Sequence, residues 1–149
     1  MVHIHEASVL IHAPRTAIHG ILTDVGRFAD WNPAITPMSA IGAVASGSSY
    51  ATTVRGLIPA EFAYTWIEDH RIGHTLTFAG FREEAEWELD EQPGRPVTVT
   101  HRFRQTGPFS RIVPAHESGV VALRLDRLKQ RAEGMRLEAG RGTGSSVDR

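Results

Sequence analysis

The sequence predicts an α+β domain, a run of antiparallel strands followed by one long C-terminal helix, on three observations. Residues 35–106 fall into short apolar or alternating runs separated by turn-forming residues, which is a strand pattern. From Gly107-Pro108 to about Met135 the apolar side chains recur at helical spacing. The length of 149 residues, with 41% hydrophobic and 22% charged, is that of one ordered domain with a substantial core.

Residues 2–12 are rich in β-branched and apolar types and read as the first strand. Pro14 suits the first position of a helix, where its missing N–H would be unsatisfied anyway. Ala17, Ile18, Ile21 and Leu22 then share one helical face. Asp24 is placed to cap a second short helix through Gly26-Arg27-Phe28-Ala29, which Trp31-Asn32-Pro33 stops. Strands are expected over 35–44, 50–57, 61–68, 74–81, 84–90 and 97–104, with turns at 45–49, 58–59, 69–73 and 92–95. In the run 84–90, Ala85, Trp87 and Leu89 share one face and acids the other; Val97, Val99, His101 and Phe103 share a face of the last strand. Short turns between short strands make an antiparallel meander. In the final helix Val121, Leu125, Leu128, Ala132 and Met135 form one apolar stripe. Phe109, Ile112, His116, Val120 and Leu123 form a second beside it, with the helix starting or bending near Pro114. The expected organisation is a single domain over 1–138 and a disordered Gly/Ser-rich tail over 139–149.

Several function classes lose support at once. A net charge of −1, with no basic face, argues against nucleic acid as a partner. Nothing approaches the roughly 18–20 apolar residues of a membrane span, and the first residues lack a signal-peptide pattern, so a cytoplasmic protein without membrane insertion is expected. The absence of cysteine removes disulfides, thiolate chemistry and Cys-based zinc sites. Of the eight histidines, His3 with His5 and His70 with His74 are the nearest to metal-ligand pairs, but neither has a third ligand or a His-Glu-x-x-His frame, so no metal is expected. Nucleotide-binding glycine loops and Gly-x-Ser-x-Gly are missing.

Particular residues carry a resemblance: Ile11-His12-Ala13-Pro14, then Ile21-Leu22-Thr23-Asp24, Trp31-Asn32-Pro33, Tyr64-Thr65-Trp66-Ile67-Glu68, and Leu125-Asp126-Arg127-Leu128-Lys129 up to Glu133. In this order, over about residues 2–135, the chain resembles the START-like or SRPBCC superfamily, and within it the polyketide cyclase/dehydrase and lipid-transport group. The resemblance implies a helix-grip fold. A curved seven-stranded sheet would wrap around the last helix, with two short helices after the first strand and a solvent-opening cavity between sheet and helix. A curved sheet cannot touch a straight helix along its whole length, so side chains or a ligand must fill the space between.

Alternation over 62–70 predicts Phe62, Tyr64, Trp66, Glu68 and His70 on one face. In the bacterial aromatase/cyclases a strand of similar pattern runs Trp-x-Ser-x-Arg, with the Arg in the cavity. Here Trp66 matches the Trp, Glu68 replaces the Ser and His70 the Arg. A guanidinium keeps its charge at any working pH, whereas imidazole exchanges a proton near neutrality, so the aromatase mechanism does not transfer. General acid–base catalysis by His70 with Glu68 is the chemistry on offer; the competing reading leaves both idle at an exposed strand end. His101 is either a second base or a core histidine bonded to a neighbouring hydroxyl or carbonyl. Arg55, in line with Ala51 and Thr53, either reaches the cavity to hold an enolate or carboxylate or lies on the surface. Tyr64, Trp66, Trp87 and Phe103 are the expected cavity walls, with Trp31 at the mouth. Phe62, His116 and Val120 complete the expected lining.

Two functions compete. One is a polyketide cyclase/aromatase-like enzyme promoting aldol-type ring closure or dehydration of a hydrophobic intermediate, with no cofactor because the substrate's own carbonyls acidify the reacting carbon. The other is non-catalytic binding or transport of a lipid or another apolar small molecule. Convergence of Glu68, His70, His101 and Arg55 on the cavity favours the enzyme; their facing water favours the carrier. The expected partner is a hydrophobic small molecule in either case, and the oligomeric state, monomer or homodimer, is left open.

Overall fold

A computed structural model of the chain describes residues 3–32, 34–39, 43–111 and 119–142. Ile112, Pro114 and His116 lie outside the described residues, as do Pro33 and residues 143–149. Strand β1 (His3–Ile11) leads into helix α1 (Arg15–Thr23), a 3-10 turn (Val25–Arg27) and the single-turn helix α2 (Phe28–Trp31). Then come β2 (Ser49–Val54), β3 (Ile58–Ile67), β4 (Arg71–Phe78), β5 (Phe81–Asp90) and β6 (Val97–Thr106). A second 3-10 turn (Pro108–Arg111) and the long helix α3 (Gly119–Gly142) follow. The strands form one antiparallel sheet in the order β1-β6-β5-β4-β3-β2, and α3 packs chiefly on β1, with β6, α1 and α2 beside it.

Among the described residues the sheet has six strands rather than seven. The segment expected as a strand over 35–44 contributes an isolated bridge from Ile35 to Val54, with the Thr36 N–H bonded to the Thr53 carbonyl at 3.1 Å. Pro37 in that segment has no N–H to offer a ladder, and proline is confined to strand edges, starts and bulges.

Before α1, Pro14 sits one position earlier than expected. It is extended, with ψ 145°, and its carbonyl accepts the Ala17 and Ile18 amides at 3.0 and 3.2 Å. Asp24 closes α1 through its backbone N–H to the Ile21 carbonyl, and its carboxylate makes no capping bond to the turn that follows. Ile18, Ile21 and Leu22 of α1 are buried, as are Phe28 and Trp31 of α2. Along α3 the first stripe is buried through Val121, Leu125, Leu128 and Ala132, and burying each leucine contributes about 1.5–3 kcal/mol. Met135 and Leu123 are exposed and Val120 is half-buried, so the apolar face is narrower than the two expected stripes. The helix also runs to Gly142, beyond the boundary at residue 138.

Two local features of the strands decide where the functional candidates go. The β2–β3 connection is a tight turn in which both Arg55 (φ 52°) and Gly56 (φ 71°) are left-handed, closed by the Leu57 N–H to the Val54 carbonyl at 3.1 Å. This is the type I′ geometry that matches the twist of the flanking strands. Between β3 and β4 the register runs Tyr64 to His74, then Trp66 to Gly73 and Ile67 to Ile72, so Thr65 is an extra residue in a β-bulge. A bulge resets the alternation, because one residue inserted into a period of two exchanges the faces of everything after it. The turn itself is shorter than the expected 69–73, since Arg71, Ile72 and Gly73 belong to β4, and a further turn at Ala79-Gly80 divides the segment expected as one strand over 74–81.

Candidate functional site in the interior of the sheet

The inner face of β5 and β6 carries Ala85, Trp87 and Leu89 opposite Phe103, His101 and Val99, as the alternation predicts. The same parity brings a charge inside. Glu83 is buried and faces Gln105 across the strand pair, and Arg124 reaches it from α3. The pair is bidentate, with Arg124 Nη1 and Nη2 donating to the two Glu83 oxygens at 2.7 and 3.2 Å, while Gln105 Nε2 donates at 2.9 Å. Burial alone would raise the Glu83 carboxyl, but the Arg124 charge and the hydrogen bonds from Arg124 and Gln105 outweigh it and hold it below the ordinary 4.5.

His101 is locked on both nitrogens. Its Nδ1–H donates to the Glu86 carbonyl at 3.0 Å, and Arg124 Nη1 lies 3.5 Å from its Nε2. A carbonyl can only accept, so the proton is on Nδ1. The ring stacks on Trp87 at 3.6 Å, and burial, then the Arg124 charge, push its pKa well below 6.5. Farther in, Trp87 Nε1–H donates to His74 Nε2 at 2.9 Å, and burial above all drives the pKa of His74 down to about 4. His74 lies beside Phe62 and Phe28, and Phe28 in turn touches Trp31. Two buried nitrogens of this aromatic cluster, His74 Nδ1 and Trp31 Nε1, have no hydrogen-bond partner.

The expected candidates separate. The bulge keeps Phe62 and Tyr64 inside and turns Trp66 out, where it lies against Gly73 and under the Arg71 guanidinium at 4.8 Å. Glu68 and His70 fall in the exposed β3–β4 turn, with side chains 45% and 61% accessible, and Glu68 pairs with Arg71 at 3.6 Å and with His70 at 3.8 Å. The expected inward face from Phe62 to His70 is therefore broken at Thr65, and the match to the cyclase strand pattern does not bring Trp66, Glu68 or His70 inside. Arg55 is also displaced from its expected strand position. Because β2 ends at Val54, it occupies the exposed hairpin tip, its N–H bonded to the Ala34 carbonyl at 2.9 Å.

Tyr64, Trp87, Phe103, Phe62 and Trp31 do gather in the interior, where they pack on one another and on the imidazoles. The Tyr64 hydroxyl donates to the Leu22 carbonyl at 2.7 Å, and burial, then the nearby Tyr50 and Asp24, raise its pKa. Val120 flanks this core from α3.

Glu83, Arg124 and Gln105 are interior polar residues that the sequence reading passed over, and it weighed His74 only as half of a metal-ligand pair with His70. The signal was present in the parity of Glu83 with Ala85 and of Gln105 with Phe103, and in Arg124 standing three residues after Val121 and four before Leu128. Among the described residues, no group of three or more His, Asp or Glu is placed to hold a metal ion, and no helix is long and apolar enough to cross a membrane.

Depressions open around the rim of this interior. One of about 300 Å³ lies between α1 and α3, with Ala17, Ile21, Trp31 and Met135 as its apolar walls and Arg27 and Arg131 also lining it. Another, of about 530 Å³, is bordered by His19, Asp24, Val25, Val44 and Ile67. In the latter, His19 Nε2–H donates to the Glu68 carbonyl at 3.0 Å.

No protein-family model matches the sequence, and no curated protein matches it. Solved structures do share its architecture. A START superfamily protein from Mycobacterium smegmatis superposes with a TM-score of 0.72 at 15% identity, over 89% of this chain and 99% of the other. Ara h 8.0201 gives 0.69 at 14% identity, over 93% and 99%. Norcoclaurine synthase from Thalictrum flavum, in complex with dopamine and hydroxybenzaldehyde, gives 0.66 at 13% identity, over 90% and 88%. The chain has the START-like, SRPBCC fold.

Proposed function

We propose that this chain binds a small, largely apolar molecule between α3 and the sheet and releases it unchanged. The observation that carries this reading is the position of the candidate catalytic groups. Glu68 and His70 lie in an exposed turn, Arg55 is at a separate hairpin tip, and His101 is engaged on both nitrogens. An acid–base mechanism needs a group within hydrogen-bond reach of the reacting proton, and these side chains do not meet around a common space. Folds of this kind host enzymes and non-enzymes alike, so the decision rests on the site. The interior between α3 and the sheet is built from aromatic and aliphatic side chains, and the charges buried there, Glu83 and Arg124, neutralise each other. The depression beside Trp31, about 300 Å³, stands at the lower end of the roughly 300–1,000 Å³ range of ligand pockets and supports entry between α1 and α3.

Titration with a hydrophobic fluorescent probe tests this, followed by displacement with a fatty acid or an aromatic polyketide and mass spectrometry of the recovered ligand. The expected result is one-to-one binding, displacement, and an unaltered ligand mass. Failure of the probe to bind would remove the reading. A polyketide recovered with a new ring, or lighter by one water, would restore the cyclase.

A further inference from the structure

Gly20 stands inside α1, where glycine weakens a helix relative to alanine because its backbone has more freedom to lose. A close approach by a neighbouring element would account for it, but nothing lies within 4 Å of the position its Cβ would take. The missing side chain instead leaves room in the wall of the depression between α1 and α3, which Gly20 lines with Ala17, Ile21, Trp31 and Met135. Two guanidiniums, Arg27 and Arg131, line the same space. Among the described residues the Arg27 side chain has no ion pair and no hydrogen bond. Arg131 meets Asp30 at 3.7 Å, beyond hydrogen-bond length, so its N–H groups are not committed to that carboxylate. Asp24 also borders the depression, without an ion pair of its own.

We propose that this depression holds a small monoanionic amphiphile, its carboxylate on Arg27 and its apolar body against Ile21, Trp31 and Met135. This rests on the binding reading above and narrows the ligand to an organic acid. A guanidinium presents a planar fork of donors that matches a carboxylate, and the Arg27 fork is free. Met135, exposed at the end of the α3 stripe, would be covered by the ligand. A single negative charge suits the walls, because a second would be set against Asp24 and Asp30. A volume of about 300 Å³, at the lower end of the range for ligand pockets, suits one ring or a short chain rather than a long lipid.

Calorimetry with phenylpropionate and octanoate, an aryl and an alkyl acid, tests this beside the alcohol and the amine of each skeleton. At least one acid is expected to bind, about tenfold tighter than its alcohol at low salt and tighter still than its amine. The preference should disappear in Arg27→Gln, and Asp24→Asn should strengthen acid binding. Gly20→Leu fills the depression and should abolish binding of acid and alcohol alike. Its thermal melt should stay level or rise, since leucine is the better helix former. Should that variant fail to fold, Arg27→Gln decides alone. Failure of both acids to bind, equal binding of acid and alcohol, preference for the amine, or acid binding that survives Arg27→Gln or a folded Gly20→Leu would each overturn the proposal. Binding of the hydrophobic fluorescent probe to the wild-type chain then leaves the binding reading in place. If neither the acids nor the probe bind, both fall.

Discussion

Replacing Glu83 with leucine removes the carboxylate that receives Arg124 at 2.7 and 3.2 Å and Gln105 at 2.9 Å. The Arg124 side chain is 15% accessible, so its charge would stay largely buried, facing the His101 nitrogen and the Phe103 ring with no carboxylate contact among the described residues. Removing one partner of such a pair costs about 3–5 kcal/mol, against a total stability of about 5–15 kcal/mol for a domain. The double variant Glu83→Leu/Arg124→Met removes both charges and keeps apolar volume in their place. It should regain most of the loss and lie within about 2 kcal/mol of wild type, the remainder reflecting unpaired Gln105 and His101. Urea unfolding with linear extrapolation measures all four corners of this cycle. The reasoning fails if Glu83→Leu costs less than about 1 kcal/mol, or if the double variant costs the sum of the two single changes.

Acid should weaken the fold in a defined window. The pKa of His74 falls from 6.5 in the unfolded chain to about 4 in the folded one, so between these values the unfolded state holds the extra proton and stability falls as pH falls, by about 3 kcal/mol in all. His101 adds in the same direction, the depressed Glu83 carboxyl adds its own loss below 4.5, and urea midpoints from pH 7 to 4 should show a slope that His74→Phe reduces. Gly73→Ala places a Cβ 2.5 Å from Thr65 Oγ1 and inside contact distance of the Trp66 ring, and should cost about 1–3 kcal/mol in a thermal melt. Tyr64→Phe, which leaves the Leu22 carbonyl without its hydroxyl donor, should cost about 1–3 kcal/mol by urea unfolding. His70→Gln should leave the ligand dissociation constant unchanged and stability within about 0.5 kcal/mol, and a large loss of binding would return His70 to the site.

How much of this was legible depended on whether one physical rule governed a segment. In β5 and β6 one face is buried and the other solvated, so simple alternation places Trp87, His101 and Phe103 correctly. The same rule, applied one step earlier along β5, places Glu83 inside, but charge is an outward signal everywhere except where a partner waits, and that partner is on a helix far along the chain. The bulge at Thr65 was hidden because nothing in Tyr64-Thr65-Trp66 departs from an ordinary strand. Its trace is Gly73 opposite, a residue that permits close approach and that the sequence reading assigned to a turn. Everything after Thr65 then changed sides, and with it the choice of catalytic residues. At Arg55 the following glycine was the clue, since only a turn needs two left-handed residues in succession.

The sheet order has a consequence for how the chain is made. Strands β2 to β6 pair with their sequence neighbours, whereas β1 pairs with β6, and the Ser8–Thr100 hydroxyl contact joins residues 92 positions apart. At about 5–20 residues per second, a ribosome releases β1 roughly 5–18 s before its partner strand is synthesised. Throughout that interval Ile4, Val9, Leu10 and Ile11 are an unpaired apolar segment, and α3, which packs chiefly on β1, arrives later still. Strand β1, made before the rest of its sheet, is thus among the last parts of it to be secured, and the nascent sheet's exposure to chaperones and to misassociation is concentrated in that strand.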